Sequence, residues 1–314
     1  MRLSAPAASR YPDFFIVGAP KCGTTALHHY LSRHPSVHMS RVKEPNFFNS
    51  DFRHQRAMVR NKDDYMSLFA GAPKGAIAGE ASALYFYSDV AIRRIAQTQP
   101  SAKFITMLRS PLEAARSWHM QNLTVLNEDI PDFEKAWRAQ IDRAGGKRVP
   151  PTCRDSRILQ YGAVFSYATQ LRRLLASASR DQLHVVIFEE FFADPAAHYA
   201  ALLRFLGVQP DGRTDFPPVY GARELRSTAL AKLYLHPPEL VRKLWRPLRG
   251  VAKFIGVHPT SVLKTVNERA TKKKPLPPAF EAELREYFAN DISDLETILG
   301  RNLNVWRNSR GVAA

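Results

Sequence analysis

Cysteine is nearly absent from this 314-residue sequence, which holds only Cys22 and Cys153. The two stand far apart, so a disulfide framework is not expected and a reduced, cytoplasmic setting is. No apolar run approaches the roughly 18 residues that would cross a bilayer. The opening "MRLSAPAASRYPDFF" lacks the apolar core of a secretory leader. Internal repeats and low-complexity segments are missing as well. Negative charge is scarce: 29 Asp and Glu face 45 Lys and Arg, for a formal net charge of +16. The imbalance is concentrated between Arg223 and Lys274, where thirteen Lys and Arg meet three Glu. Such a field suits anionic ligands or an anionic membrane surface, against the plainer reading of a solvated basic face.

The remaining composition is ordinary. Hydrophobic residues make up 45% of the chain and charged ones 24%, enough for one large α/β domain or two small ones. "DFFIVGA" (13–19), "AKFITMLRS" (102–110) and "QLHVVIFEEF" (182–191) are consecutive apolar runs and predict strands buried on both faces. "GAIAGEAS" (75–82) predicts a shorter strand ending near Glu80. Helices are expected after the first strand, with Thr24 or Thr25 as cap and Leu27, Tyr30 and Leu31 on one face. Others are expected from Pro111, over 163–178, over 198–208 closed by Gly207, and over 277–299. Strands alternating with helices predict a parallel sheet covered on both faces. Ligands in such sheets bind beyond the carboxyl ends of the strands. Lys21, Glu80 and Arg109 all fall at expected strand ends.

"FFIVGAPKCGTTAL" (14–27) has the glycine spacing of a nucleotide-phosphate loop, but Thr24 takes the lysine position and Lys21 lies inside the loop. Backbone N–H groups from Cys22, Gly23, Thr24, Thr25 and Ala26 would still cradle a phosphate at a helix N-terminus. The strand that ends at Leu108 is followed by Arg109, where a magnesium-dependent nucleotide hydrolase needs an aspartate. An arginine there suits a second phosphate. The expected ligand thus carries two separated phosphates and needs no metal.

These segments resemble the sulfotransferases that use 3′-phosphoadenosine-5′-phosphosulfate (PAPS). "PKCGTTAL" is similar to their 5′-phosphosulfate loop, and "LRSPLEAARSW" to their 3′-phosphate motif, with Arg109 and Ser117 at its spacing. "KEPNFF" (43–48), "GEASALYF" (79–86) and the closing "FEAELREYFANDISDLETILGRNLNVW" resemble the heparan-sulfate branch and its bacterial relatives. Cys22 departs from the usual loop residue there. The resemblance implies a P-loop-type central parallel sheet flanked by helices, with a basic C-terminal helical extension at about 223–274. It implies a flexible tail over 1–12 and a single domain over 13–314. The donor would be PAPS, held by Lys21, the loop amides, Arg109 and Ser117. Lys272 and Lys273 would close over the nucleotide. Glu80 is the expected general base, Lys21 the contact to the bridging oxygen, and Lys43 a contact to sulfate or acceptor.

The acceptor implied is a hydroxyl of a carbohydrate or glycolipid; nucleic acid is not an expected partner. Trp245, Phe254 and Ile255 interleave with Arg242, Lys243, Arg246, Arg249 and Lys253, as in a segment lying on the anionic inner face of a membrane. Two rivals stay open at this level: a nucleotide kinase or triphosphatase with an altered loop, and a non-catalytic basic module that binds polyanions or membranes.

Overall fold

The structure, a computed structural model, describes residues 10–53, 59, 61–217, 223–235, 266–271 and 273–307. In chain order its elements are β1 (Phe14–Gly18), α1 (Thr24–Leu31), β2 (Val37–Met39), α2 (Lys62–Ser67), β3 (Ile77–Ala81), α3 (Ala91–Thr98), β4 (Lys103–Leu108), α4 (Pro111–Thr124), α5 (Phe133–Arg138), α6 (Gln140–Ala144), α7 (Tyr161–Val164), α8 (Tyr167–Leu175), β5 (Leu183–Ile187), α9 (Phe188–Ala193), α10 (Pro195–Leu206), β6 (Arg223–Leu225), α11 (Thr228–Leu235), β7 (Glu268–Ala270), α12 (Pro278–Leu299) and α13 (Asn304–Arg307). The chain divides into two compact units. One comprises Met1–Ala114, Val164–Tyr220 and Leu284–Ala314, the other Ala115–Ala163 and Gly221–Glu283.

The first unit holds the five-stranded sheet, in the order β2-β3-β1-β4-β5 with every neighbouring pair parallel. This is the α/β architecture that the uninterrupted apolar runs predict. Phe14, Phe15, Ile16 and Val17 of β1 and Phe104, Ile105, Met107 and Leu108 of β4 are wholly buried. Side chains alternate across a strand, so a run apolar at every position needs cover on both faces.

The structure differs from the sequence reading at several places, each with a physical cause. The cap of α1 is Gly23, in the left-handed region, and Thr24 already belongs to the helix. The apolar run after β4's partner does not stay extended: β5 stops at Ile187 and α9 begins, with Glu189 and Glu190 in its first turn, where acidic residues favour a helix start. The helix expected over 163–178 is two, α7 and α8. The Asp291 carboxylate accepts the first amides of α8, from Tyr167 at 2.7 Å and Ala168 at 3.1 Å. β2, only three residues long, was not legible. Residues 10–12, expected in a loose tail, are packed: Arg10 donates to the Ala76 carbonyl, Pro12 is buried, and Tyr11 rests against Tyr65 with ring centroids 6.1 Å apart.

The second unit is centred on a buried ion pair. Arg143 donates to both carboxylate oxygens of Glu128 at 2.6 Å, and Tyr161 donates to the same carboxylate at 2.5 Å. The described ends of the basic stretch, expected to be helical throughout, instead pair as an antiparallel ribbon, with Glu224 opposite Arg269. α11 follows β6, and its Ala231 and Tyr234 pack with Leu126. The candidate membrane segment, from Arg242 to Ile255, lies outside the described residues. Among the described residues no helix is long and apolar enough to cross a membrane.

Candidate functional site

The turn between β1 and α1 is built for a backbone cradle. Ala19 N–H donates to the Met107 carbonyl at 2.7 Å, which ties the start of the turn to β4. Lys21 has φ 61 and Gly23 φ 92, so the chain doubles back and presents its amides. Glycine is favoured at 23 by its positive φ, and a Cβ there would crowd Met107 Cε at 3.0 Å and the Phe188 ring at 3.1 Å. No side chain caps α1. Cys22 N–H already donates to the Ala19 carbonyl at 3.3 Å and Ala26 N–H to the Gly23 carbonyl at 3.0 Å. The cradle therefore narrows to Gly23, Thr24 and Thr25, whose amides have no helical carbonyl behind them.

Cys22 is packing. Its thiol is fully buried, lies 3.4 Å from the Tyr167 hydroxyl and 3.4 Å from the Pro20 carbonyl, and burial pushes its pKa up to about 12. It ties the loop to α8 and stays protonated.

Positive charge converges on the loop. Burial lowers the pKa of Lys21, and the charges of Arg109 and Lys43 lower it further. Three mutually repelling cations concentrated here suit an anion. Arg109 follows β4, and its guanidinium lies 4.3 Å from the centroid of the Phe188 ring. Its Nε is buried and has no hydrogen-bond partner among the described residues. A buried donor left unmade costs about 1–3 kcal/mol, so this atom fits a second anionic group. Beside it, Glu189 is fixed by Ser110 N–H at 3.0 Å and Trp306 Nε1 at 2.8 Å.

Ser117, the expected partner of Arg109 in anion binding, is half-buried on α4 and belongs to the second unit, as does half-buried Lys273; Lys272 lies outside the described residues.

Glu80 stands one residue before the end of β3, as the sequence predicts, but it is enclosed there. The register sets Phe15 opposite Glu80, whereas the phosphate loop begins only after Gly18, three residues further along β1. Glu80 is thus inside the sheet and 0% exposed. Its carboxylate accepts from the hydroxyls of Ser82 at 2.6 Å, Tyr65 at 2.6 Å and Tyr85 at 3.2 Å. Burial nevertheless raises its pKa to about 7, partly opposed by those three donors.

The carboxylate that faces solvent is Glu44, which sequence reasoning passed over. Its side chain is 35% exposed, and it accepts from Lys43 at 2.5 Å and from Ala83 N–H at 2.9 Å. Glu44 and Asn46 flank Pro45 at φ 60 and φ 54, a turn that aims the carboxylate outward. His28 of α1 stands under the field of Lys43 and Glu44; burial, then Lys43, hold its pKa down at about 4, so it is neutral near pH 7. The signal was present: "KEPNFF" puts a proline between two residues able to take a left-handed conformation.

The geometry has relatives. The profile of the sulfotransferase domain family matches residues 11–216. The human bifunctional heparan sulfate N-deacetylase/N-sulfotransferase 2 is 34% identical over 209 residues, covering 64% of this chain and 22% of that protein. The bovine protein of the same name is 35% identical over 211 residues, with the same 64% and 22% coverage. This chain therefore spans about a fifth of the length of the curated relatives it matches. The crystal structure of a sulfotransferase from Alicyclobacillus acidocaldarius superposes with a TM-score of 0.70 at 28% identity, covering 95% of this chain and 100% of that one.

Proposed function

Because the chain belongs to the sulfotransferase domain family, we propose that it transfers a sulfuryl group from PAPS to a hydroxyl or amine of a carbohydrate. The observation that carries the donor is a pair of anion sites on adjacent strand ends: the first-turn amides of α1 with Lys21, and the unpartnered Nε of Arg109. A donor with separated phosphates fits that pair, and a nucleotide lacking a 3′-phosphate leaves Arg109 unmade. When bound, PAPS supplies the activated sulfuryl group and a phosphate leaving group. Lys21, already in a desolvated site crowded by Arg109 and Lys43, is the cation for the charge that develops on the leaving side. Lys43 is the cation on the acceptor side.

The base we assign is Glu44 rather than Glu80. A base must come within about 2.6–3.2 Å of the proton it takes. Glu44 is open to an incoming acceptor, and Glu80 is enclosed by three hydroxyls. A carbohydrate acceptor is supported by the heparan sulfate named for the curated relatives, and their N-sulfotransferase names extend the acceptor group from hydroxyl to amine.

The test is thermal denaturation with adenosine 3′,5′-bisphosphate in one arm and ATP with magnesium in the other. A ligand at a hundred times its Kd adds about 2.7 kcal/mol of stability. Stabilisation by the bisphosphate is expected. Stabilisation by ATP with magnesium alone would favour a kinase-like reading instead.

A further inference from the structure

We propose that Glu80 is a positioning residue of this site: through the hydroxyls of Ser82 and Tyr85 it holds the backbone of Asn46, Phe47 and Phe48, and so sets the turn that presents Lys43 and Glu44. Only the kinetic arm of the argument rests on the sulfuryl-transfer reading.

The chain of contacts is continuous. A hydroxyl has one proton to donate and lone pairs that accept. Above its pKa of about 7 the Glu80 carboxylate is ionised and only accepts, so it draws the Ser82 and Tyr85 protons inward. Their lone pairs then face outward. Asn46 N–H donates to Ser82 Oγ at 3.2 Å, and the Phe47 and Phe48 amides donate to the Tyr85 oxygen at 2.9 and 3.2 Å. The carboxylate thus fixes the polarity of two hydroxyls that would otherwise be free to turn. Tyr65, its third donor, carries Phe47 stacked on its ring with centroids 4.3 Å apart and planes 13° from parallel.

The turn needs such support. Two non-glycine residues at positive φ persist only where the surroundings over-determine them. Glu44 N–H donates to the Ala81 carbonyl at 2.9 Å, and Ala83 N–H returns to the Glu44 carboxylate at 2.9 Å. Residues 80–85 therefore grip both ends of the 43–48 turn. A buried acid at this point makes sense as the root of the network.

The experiment compares Glu80→Gln, Ser82→Ala and Tyr85→Phe with the wild type. Hydrogen exchange of the Asn46, Phe47 and Phe48 amides, followed by NMR, needs no activity. Each lost hydrogen bond is worth about a factor of ten in local opening. Glu80→Gln and Tyr85→Phe should each speed exchange at Phe47 and Phe48 about tenfold, and Ser82→Ala at Asn46. All three should lower kcat/KM for the acceptor while the Kd for adenosine 3′,5′-bisphosphate changes less than about twofold. The proposal is overturned if Glu80→Gln abolishes turnover while Ser82→Ala and Tyr85→Phe turn over normally, because Glu80 would then act on the acceptor itself. Should Glu80→Gln fail to fold, unchanged protection of the three amides in Ser82→Ala and Tyr85→Phe overturns it equally. A wild type that moves no sulfuryl group would remove the proposed function, and the exchange arm would still decide this one.

Discussion

Phe15 stands opposite Glu80 in the β1–β3 ladder. That pairing puts Glu80 below the carboxyl edge of the sheet and leaves Glu44, on the turn after β2, as the carboxylate at the surface. Under the two proposals the acids have different work: Glu44 would face the acceptor, and Glu80 would order the turn that carries it.

Glu44→Gln should lower kcat by about 10²–10⁴, the range for losing a general base. Affinity for adenosine 3′,5′-bisphosphate should be retained. Single-turnover transfer assays with calorimetric binding check both parts. Normal turnover would move the base elsewhere.

Arg109→Ala should weaken nucleotides that bear a 3′-phosphate by about 2–5 kcal/mol, as when one member of a buried charge contact is removed. Adenosine 5′-phosphosulfate, which has no such group, should lose little. Equal losses for it and for PAPS would take Arg109 out of the 3′-phosphate site.

Gly23→Ala should impair nucleotide binding. The residue sits at φ +92 with Met107 and Phe188 about the missing Cβ, so strain of about 1–2 kcal/mol is joined by a clash. Gly75→Ala is the control. It has φ +86 but nothing within 4 Å, so it should lower Tm without touching nucleotide affinity.

The pH dependence of stability should carry a mark of Glu80. Burial raises its carboxyl from 4.5 to about 7, so the folded chain holds this proton more tightly than the unfolded one. The resulting stability is full below about pH 4.5, falls as the pH rises to about 7, and is gone above. The difference is roughly 2–4 kcal/mol. Asp291, raised by burial to about 6, adds a slope of the same sign, and His28, lowered to about 4, adds the opposite one. Both remain in Glu80→Gln and cancel on subtraction. Urea unfolding at pH 5 and pH 8 should show a drop in the wild type about 2–4 kcal/mol larger than in the variant, and parallel curves would refute the assignment.

Much of the fold was legible because its causes are local. A strand buried on both faces is apolar along nearly its whole length, so β1 and β4 stand out as runs, and the edge strand β5 does so less sharply. The end of α10 at Leu206 follows from Gly207, which takes φ 79 at the cap. The loop with Lys21 and Gly23 could be read because glycine spacing and a helix start are neighbours in sequence. Arg109 could be read because it directly follows a strand.

What escaped depended on partners distant in the chain. β2 is too short to leave a pattern and exists because β3 offers it a paired edge. The run from Leu183 to Phe192 lies beside β4 only as far as Ile187, and beyond that Glu189 and Glu190 enter the first turn of a helix. Cys22 looked like a departure in the phosphate loop and proves to be packing against Tyr167, 145 residues away. The sequence by itself determined that the chain has a parallel α/β sheet, a lysine- and glycine-bearing turn before the first helix and a second cation at the next strand end, since each rests on neighbouring residues. Only the tertiary structure decided which glutamate is enclosed and which is partly exposed. That choice rests on the register between β1 and β3 and on a left-handed turn at Glu44, and both are set by hydrogen bonds between residues some forty to sixty-five positions apart.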